Sequence, residues 1–432
     1  MAYEAIQAYG PEYEYQSKRV PFLTFLVMVF VLLATATWAK YPWNYIVKGS
    51  GAFLVLAYSV RAIGTRAHVS LEVFLYLAWI FWSVTGLIAG AHPVLYRISL
   101  ETVFQIWLMV VILAGYTTSR RTLSLNLLAL MLGAMWVWFG GVRTGSYQSA
   151  LTMGTRAKGL AAMDTNEFGW LLIVATVTMA YFWMQPTRFL LVRNTVLACL
   201  MTAAGVGIVL SGSRFSILGA IVFYFLWIWV CYRKEVLRRP SVLIVIFLAL
   251  SLGGAGFIAL ASRTVAGKRL HKTWMRLTGQ TAAGGSAGRI DIYKESVGII
   301  SSHAVFGVGL NNFRLHSSSG SVSHSEFTEI ASDTGLPGFA IYFSIYLILW
   351  RRAGKIIKYS NDPAAVRISK LIRVYIMVML FVGLGVPHYY NKIAWIMMGG
   401  FAGFTRSVWR ELKVRLPHME RYPMLAYEGY AA

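Results

Sequence analysis

Twelve stretches of this chain are long and apolar enough to cross a lipid bilayer, and that leaves few folds open to it. A helical crossing needs about 20 mostly apolar residues. Inside the hydrocarbon layer the backbone can satisfy its own hydrogen bonds only as a helix or a closed barrel. The runs cover 21–38, 43–60, 69–89, 99–116, 122–140, 165–184, 194–211, 215–232, 241–261, 337–358, 374–391 and 393–409. Apolar residues make up 57% of the 432 positions and charged ones 13%, against roughly 45–50% and 25% in soluble domains. A soluble body of this size could not hide that surface. The sequence predicts an all-α polytopic membrane protein and excludes disorder, collagen, a coiled coil and a disulfide scaffold. Cys199 and Cys231 both lie inside apolar runs and show no metal-ligand spacing. Trp38, Trp43, Trp350 and Trp395 stand at run ends, where amphipathic rings favour the headgroup layer.

A net charge of +23 first suggests nucleic acid, but its distribution points elsewhere. With the N-terminus inside, 24 of the 40 Lys and Arg fall in stretches on the cytoplasmic side, from Lys18-Arg19 to Arg406–Arg421. Eight of the other 16 lie in the long segment 262–325, which the positive-inside rule does not count. Both termini are therefore expected in the cytoplasm, with the bilayer as a partner and nucleic acid excluded. The polar start (Glu4, Glu12, Glu14) and a first apolar run without a small-residue cleavage site show no cleavable signal peptide. The expected organisation is a cytoplasmic tail over 1–20, nine spans within 21–261, a large outer loop over 262–336 with short helices, three spans within 337–409, and a cytoplasmic tail over 410–432.

Three features mark the outer face. Ser211-Gly-Ser-Arg214 joins two runs with almost no loop, so Arg214 stands at membrane depth or just above it. A guanidinium there either snorkels or pairs. Gly288-Arg289 opens an expected amphipathic helix with Ile290, Tyr293, Val297 and Ile300 at helical spacing. A cation at a helix N-terminus opposes the macrodipole, which disfavours a purely structural Arg289. The helix leads into Phe306-Gly-Val-Gly309-Leu-Asn-Asn-Phe313, which no strand–turn–helix unit surrounds and which is no dinucleotide fingerprint. Ser323-His324 precedes a short helix that Ser323 could cap, with Gly335 at its C′ position and Pro337 in the first turn of the next span.

These residue types suggest one chemistry. Arginine forks bind phosphate oxygens, and a neutral imidazole can take the proton of an attacking hydroxyl near pH 7. Together they suit displacement at a carbon bearing a phosphate leaving group. Glu326, Glu329 and Asp333 are alternative bases. The four Asp residues (Asp164, Asp291, Asp333, Asp362) form no Asp-x-Asp pair, so a metal-free reaction with Arg carrying the electrostatics and no cofactor is expected.

The strings SGSR at 211–214, GRIDIYKESVGIISSHAVFGVGLNNF at 288–313 and HSEFTEIASDTGLPG at 324–338 resemble the O-antigen ligase and polymerase superfamily. Asp164-Thr165-Asn166 is similar to that family's Asp/Asn-Pro-Asn segment. The resemblance implies a GT-C-like helical fold of about twelve spans with one large periplasmic loop, in the bacterial inner membrane. It implies an inverting glycosyltransferase, acting without metal on the periplasmic side. The donor would be a glycan on undecaprenyl diphosphate; a ligase would hand it to lipid A–core. A second lipid-linked glycan, as in an O-antigen or exopolysaccharide polymerase, or a protein Ser/Thr is the alternative acceptor. By the same resemblance Arg214 and Arg289 hold the donor, His324 is catalytic, and Asn166 and Tyr293 line the substrate site. Arg143 stands eleven residues before Gly154, an Arg-x10-Gly spacing of polymerase members, and joins the substrate-binding set; Arg289 has Ile at position 300 instead. From another class, a lipid-linked sugar transporter would carry internal repeats and mid-membrane ionisable residues, and neither is clear here.

Overall fold

The computed structural model describes residues 22–37, 43–65, 70–88, 92–153, 155–159, 163–238 and 287–421, with scattered positions between 259 and 278. The expected run 241–261 lies largely outside the described residues and the tail 1–20 wholly so; of the tail expected over 410–432, residues 410–421 are helical, continuing the last helix, and 422–432 lie outside. In the order of the chain the helices are α1 (Phe22–Ala36), α2 (Trp43–Thr65), α3 (Leu71–Val84), α4 (Pro93–Tyr116), α5 (Arg120–Arg143), α6 (Ser146–Thr152), α7 (Thr165–Trp183), α8 (Leu190–Leu210), α9 (Arg214–Arg238), α10 (Ala287–Ser302), α11 (Phe313–His316), α12 (Glu326–Tyr359), α13 (Pro363–Gly383) and α14 (Lys392–Arg421). All regular structure among the described residues is helical.

By length and composition α4, α5, α8 and α9 can each cross a membrane. Their outer surfaces carry Phe104, Trp136, Leu191, Ile221 and Phe225 in the open. In water, apolar patches of that extent would aggregate; in lipid they are the ordinary surface of a membrane protein. At the centre stands α7, buried without a break from Phe168 to Tyr181, as a helix apolar all round should be. It packs against α5, α8, α9, α13 and α14. Asp164 starts it with a capping box: its carboxylate accepts from Asn166 N at 2.7 Å, and Glu167 accepts from Asp164 N. Toward the far end of α12, Arg352 pairs with buried Glu72 of α3 at 2.8 Å, fixing the register of two packed helices.

Two sequence expectations move. The run 374–391 is not the helix: α13 begins at Pro363, ends at Gly383, and residues 384–391 form a turn. Hydropathy passes over its first half because Arg367, Lys370 and Arg373 lie there. The helix nevertheless forms because the Asp362 carboxylate accepts from Ala364 N at 2.8 Å and Pro363 suits the first position. The Arg373 guanidinium lies 4.5 Å from the Trp350 ring centre. Trp395 belongs to no headgroup layer: it is buried, and its indole donates to Tyr389 O at 2.9 Å.

The helix α12 is two legs. At Gly335 the backbone takes φ 67° and ψ 177°, and the leg 326–334 folds back beside the leg 336–359. The hydroxyls of Tyr342 and Tyr346 reach the carboxylate of Glu326 across the fold. The Phe306–Phe313 string is the clasp that makes this possible. The last carbonyls of a helix have no partner within it; here Val308 N donates to Ser332 O and Gly309 N to Asp333 O, both at 2.9 Å. A Cβ on Gly307 would strike the Asp333 backbone, and one on Gly335 the carbonyl of Val305. The two glycines are thus requirements of close approach, and the GxG serves the fold. Replacing Gly335 by Ala, which meets both a positive φ and a backbone clash, is expected to cost about 1–3 kcal/mol or more, read as a lower Tm of the purified protein in detergent.

Candidate functional site

Three elements meet at one end of α7. The tight turn Ser211–Ser213 leaves α8 and starts α9 at Arg214; Gly212 allows it with φ 61°. It lies against the first turns of α7, where a Cβ on Gly169 would meet the hydroxyls of Ser211 and Ser216. Arg214, half-buried, is therefore fixed in place by its backbone, beside Phe215, whose ring packs on Gly385 in the turn after α13.

A residue that sequence reasoning missed joins these parts. Arg156 donates through Nε to Ser211 O at 2.9 Å and through Nη2 to Asn166 Oδ1 at 2.8 Å. One guanidinium thus ties the arginine-bearing turn to the start of α7, and Asn166 is occupied in this structure as its acceptor. No spacing rule marks Arg156 in the outer segment 141–164; only the folded turn brings its partners together.

The third element is the turn before α12. His324 has φ 59°, a conformation uncommon for any residue but glycine, although Asn, Asp and His enter it more often than the others. Its neighbours hold it: Ser323 N donates to Glu329 Oε2 at 2.7 Å, and Ser323 Oγ to Ser325 O at 2.9 Å. Ser323 does not cap the helix, as its sequence position suggests; Ser325 is the cap residue and Glu329 reaches back to the turn. Burial pushes the Glu329 carboxyl up, against the lowering pull of its bonds to Ser323 and of Arg314. Burial also pushes Asp333 well up, with Glu329 adding to it, while the N–H groups of Asn311 and Phe313 and the Tyr389 hydroxyl oppose the shift. His324 itself is half-exposed. Of the alternative bases, Asp333 is fully engaged as the clasp, accepting from Asn311 N at 2.7 Å, Phe313 N at 3.2 Å and the Tyr389 hydroxyl at 3.3 Å. Glu326 Oε1 accepts from the two tyrosines, and its Oε2 lies 2.6 Å from His388 Nε2.

The amphipathic helix is α10, but its buried face differs from the expected one. Ile292, Ser296 and Ile299 are buried, Ile292 and Ile299 in a small core with Val308 and Phe313, while Val297 is exposed. The clasp loop offers its apolar side to that register. Tyr293 donates to Leu384 O at 3.1 Å, which brings α10 to the end of α13 beside Phe215 and Glu326. Position 289 is one helical turn before Tyr293; the side chain of Arg289 lies outside the described residues. Arg143, at the end of α5, is exposed and makes no hydrogen bond or ion pair with a described residue; nothing joins it to the other candidates, and Gly154 lies outside the described residues. The structure thus gathers Arg214, Asn166, Tyr293 and the His324 turn around the start of α7 and the end of α13.

Arg156→Lys keeps a charge but loses the two-point fork. It is expected to destabilise the protein by about 1–3 kcal/mol and to lower Tm in detergent, whereas a substitution at unpartnered Arg143 should leave Tm within about 0.5 kcal/mol of wild type.

No curated protein matches the chain. Residues 196–343 match the family model described as O-antigen ligase. That stretch runs from α8 through the SGSR turn, α10, the clasp and the His324 turn into the second leg of α12. With its helical architecture and its apolar outer surface, this chain is a helical membrane protein that carries, over residues 196–343, a segment similar to the O-antigen ligase family.

Proposed function

We propose that the protein is an inverting glycosyltransferase that moves a glycan from undecaprenyl diphosphate to an acceptor hydroxyl at the periplasmic face of the bacterial inner membrane, with both termini cytoplasmic. The observation that carries this reading is the convergence of the SGSR turn, the start of α7 and the His324 turn within and beside the segment that matches the O-antigen ligase family. Arg214 and Arg289 bind the diphosphate oxygens of the donor. The acceptor oxygen attacks the anomeric carbon, and its proton passes to His324. The bond from that carbon to the diphosphate breaks, and its electron pair leaves with undecaprenyl diphosphate. The two guanidinium groups stabilise that leaving charge, so no strong general acid is needed. Asn166 and Tyr293 shape the wall of the site. Lipid A–core is the acceptor of a ligase and the one we favour, because the two-loop arginine spacing of polymerases is incomplete. Transfer to a second lipid-linked glycan or to a protein hydroxyl would use the same donor chemistry.

Transfer by purified protein from a defined lipid-linked donor tests this reading. Arg214→Ala and Arg289→Ala should each lower the rate by about 10²–10³, or roughly 2–4 kcal/mol. The Arg→Lys variants should remain poor, since the fork is lost. Near-normal transfer by both Ala variants at equal protein level would reject the diphosphate role. The absence of an Asp-x-Asp pair supports a reaction that excess EDTA leaves unchanged; loss of transfer in EDTA with recovery in Mg²⁺ or Mn²⁺ would reject the arginine-only electrostatics. His324→Ala should keep donor binding and lose about 10²–10⁴ in rate. It should also lose the limb of the pH profile that reports a neutral imidazole, around pH 6–7 for an ordinary His. Loss of donor binding in that variant would make His324 a diphosphate ligand instead.

A further inference from the structure

A non-glycine residue at positive φ persists only when its surroundings over-determine it, and the two sides of His324 are held differently. On its N-terminal side the hold is local: Ser323 is bound by Glu329 and by the backbone of Ser325. On its C-terminal side the hold is Glu326, two residues on. Its carboxylate is buried; Oε1 accepts from the hydroxyls of Tyr342 and Tyr346, and Oε2 lies 2.6 Å from His388 Nε2. The tyrosines ride on α12 itself, so they tie one leg of that helix to the other. His388 comes from the turn after α13 and ties the His324 turn to the rest of the protein.

The imidazole of His388 has no other polar use. It is 1% exposed and lies parallel to Trp170 of α7, with ring centres 5.1 Å apart and an interplanar angle of 8°. Its Nδ1 is buried with no hydrogen-bond partner among the described residues. An apolar ring would fill the slot beside Trp170 without that burden. What the histidine adds is the close contact with Glu326, and through Trp170 that contact ties the His324 turn to α7, whose first turn carries Asn166.

We propose that His388 is a positioning residue for His324: by holding Glu326 it fixes the left-handed turn on which His324 is presented to the acceptor hydroxyl. The proposal rests on the transferase reading above for its consequence, but the clamp itself is a property of the fold and can be read without substrate.

Two measurements test it, on the full-length purified protein. In hydrogen–deuterium exchange, peptides covering 321–328 should exchange faster in His388→Ala than in wild type. They should stay near wild type in His388→Gln, whose amide N–H can still reach Glu326. In glycan transfer, His388→Ala should lower kcat about 10–100-fold, the usual effect of losing a supporting partner. KM for the donor should stay within about twofold, and His388→Gln should recover most of the rate. The double variant His324→Ala/His388→Ala should be no slower than His324→Ala alone, because His388 acts only through His324. A raised donor KM with kcat intact would overturn the proposal, as would a double variant slower by the full extra factor. Unchanged exchange over 321–328 in His388→Ala would overturn it as well. If that variant does not fold, His388→Asn, too short to reach Glu326, takes its place in both measurements. Wild-type protein that transfers no glycan would reject the transferase reading, while the exchange result would still decide whether the clamp exists.

Discussion

The carboxylate of Asp333 accepts two backbone N–H groups from the Asn311–Phe313 loop and a hydroxyl from Tyr389, and the rest of the candidate site depends on that knot. A helix ending in apolar surroundings leaves carbonyls that must find donors. Here the loop supplies them to Ser332 and Asp333, and Gly335 lets the chain reverse. Once the leg 326–334 is folded back, Glu326 reaches the end of α13, and the His324 turn is carried with it. Loss of the knot would leave a buried carboxylate and several backbone groups without partners at once, each costing about 1–3 kcal/mol.

Much of this was legible before any coordinates. Apolar runs of bilayer length gave the all-helical membrane architecture, because lipid leaves the backbone so few choices. Gly335 as a break and Pro337 after it could be read from local chemistry, since caps and turns act within a few residues. The limits of α13 could not, because charged residues that snorkel or stack, such as Arg373 over Trp350, make helix look like loop to a hydropathy window. That error hid His388 inside an expected span. Arg156 and the Glu326–His388 pair were illegible for another reason. Each joins elements far apart in sequence, and their partners are ordinary residues until the fold brings them together. The register of α10 was misjudged because both faces of that helix carry apolar residues, and only the clasp loop decides which is buried.

The site's design follows from the setting. An arginine near lipid is costly unless its position is set by structure, and the SGSR turn, pinned by Arg156 to Asn166, does that for Arg214. In the proposed reaction the base meets a large, mobile acceptor and needs to be accessible; His324 is half-exposed while the groups that hold its turn are buried. Rigid support beneath an open surface is the arrangement expected of an enzyme that takes a lipid-anchored donor from one side and a variable acceptor from the other.

The central claim is that this protein breaks the bond between glycan and lipid diphosphate and makes a new glycosidic bond. The most direct measurement incubates purified protein with a defined undecaprenyl-diphosphate glycan and an acceptor. It follows released undecaprenyl diphosphate and transferred glycan together, with the anomeric configuration of the product. The expected result is one lipid diphosphate released per glycan transferred, with the configuration inverted. Glycan that crosses or leaves the membrane still attached to its lipid, or a product of retained configuration, would contradict it.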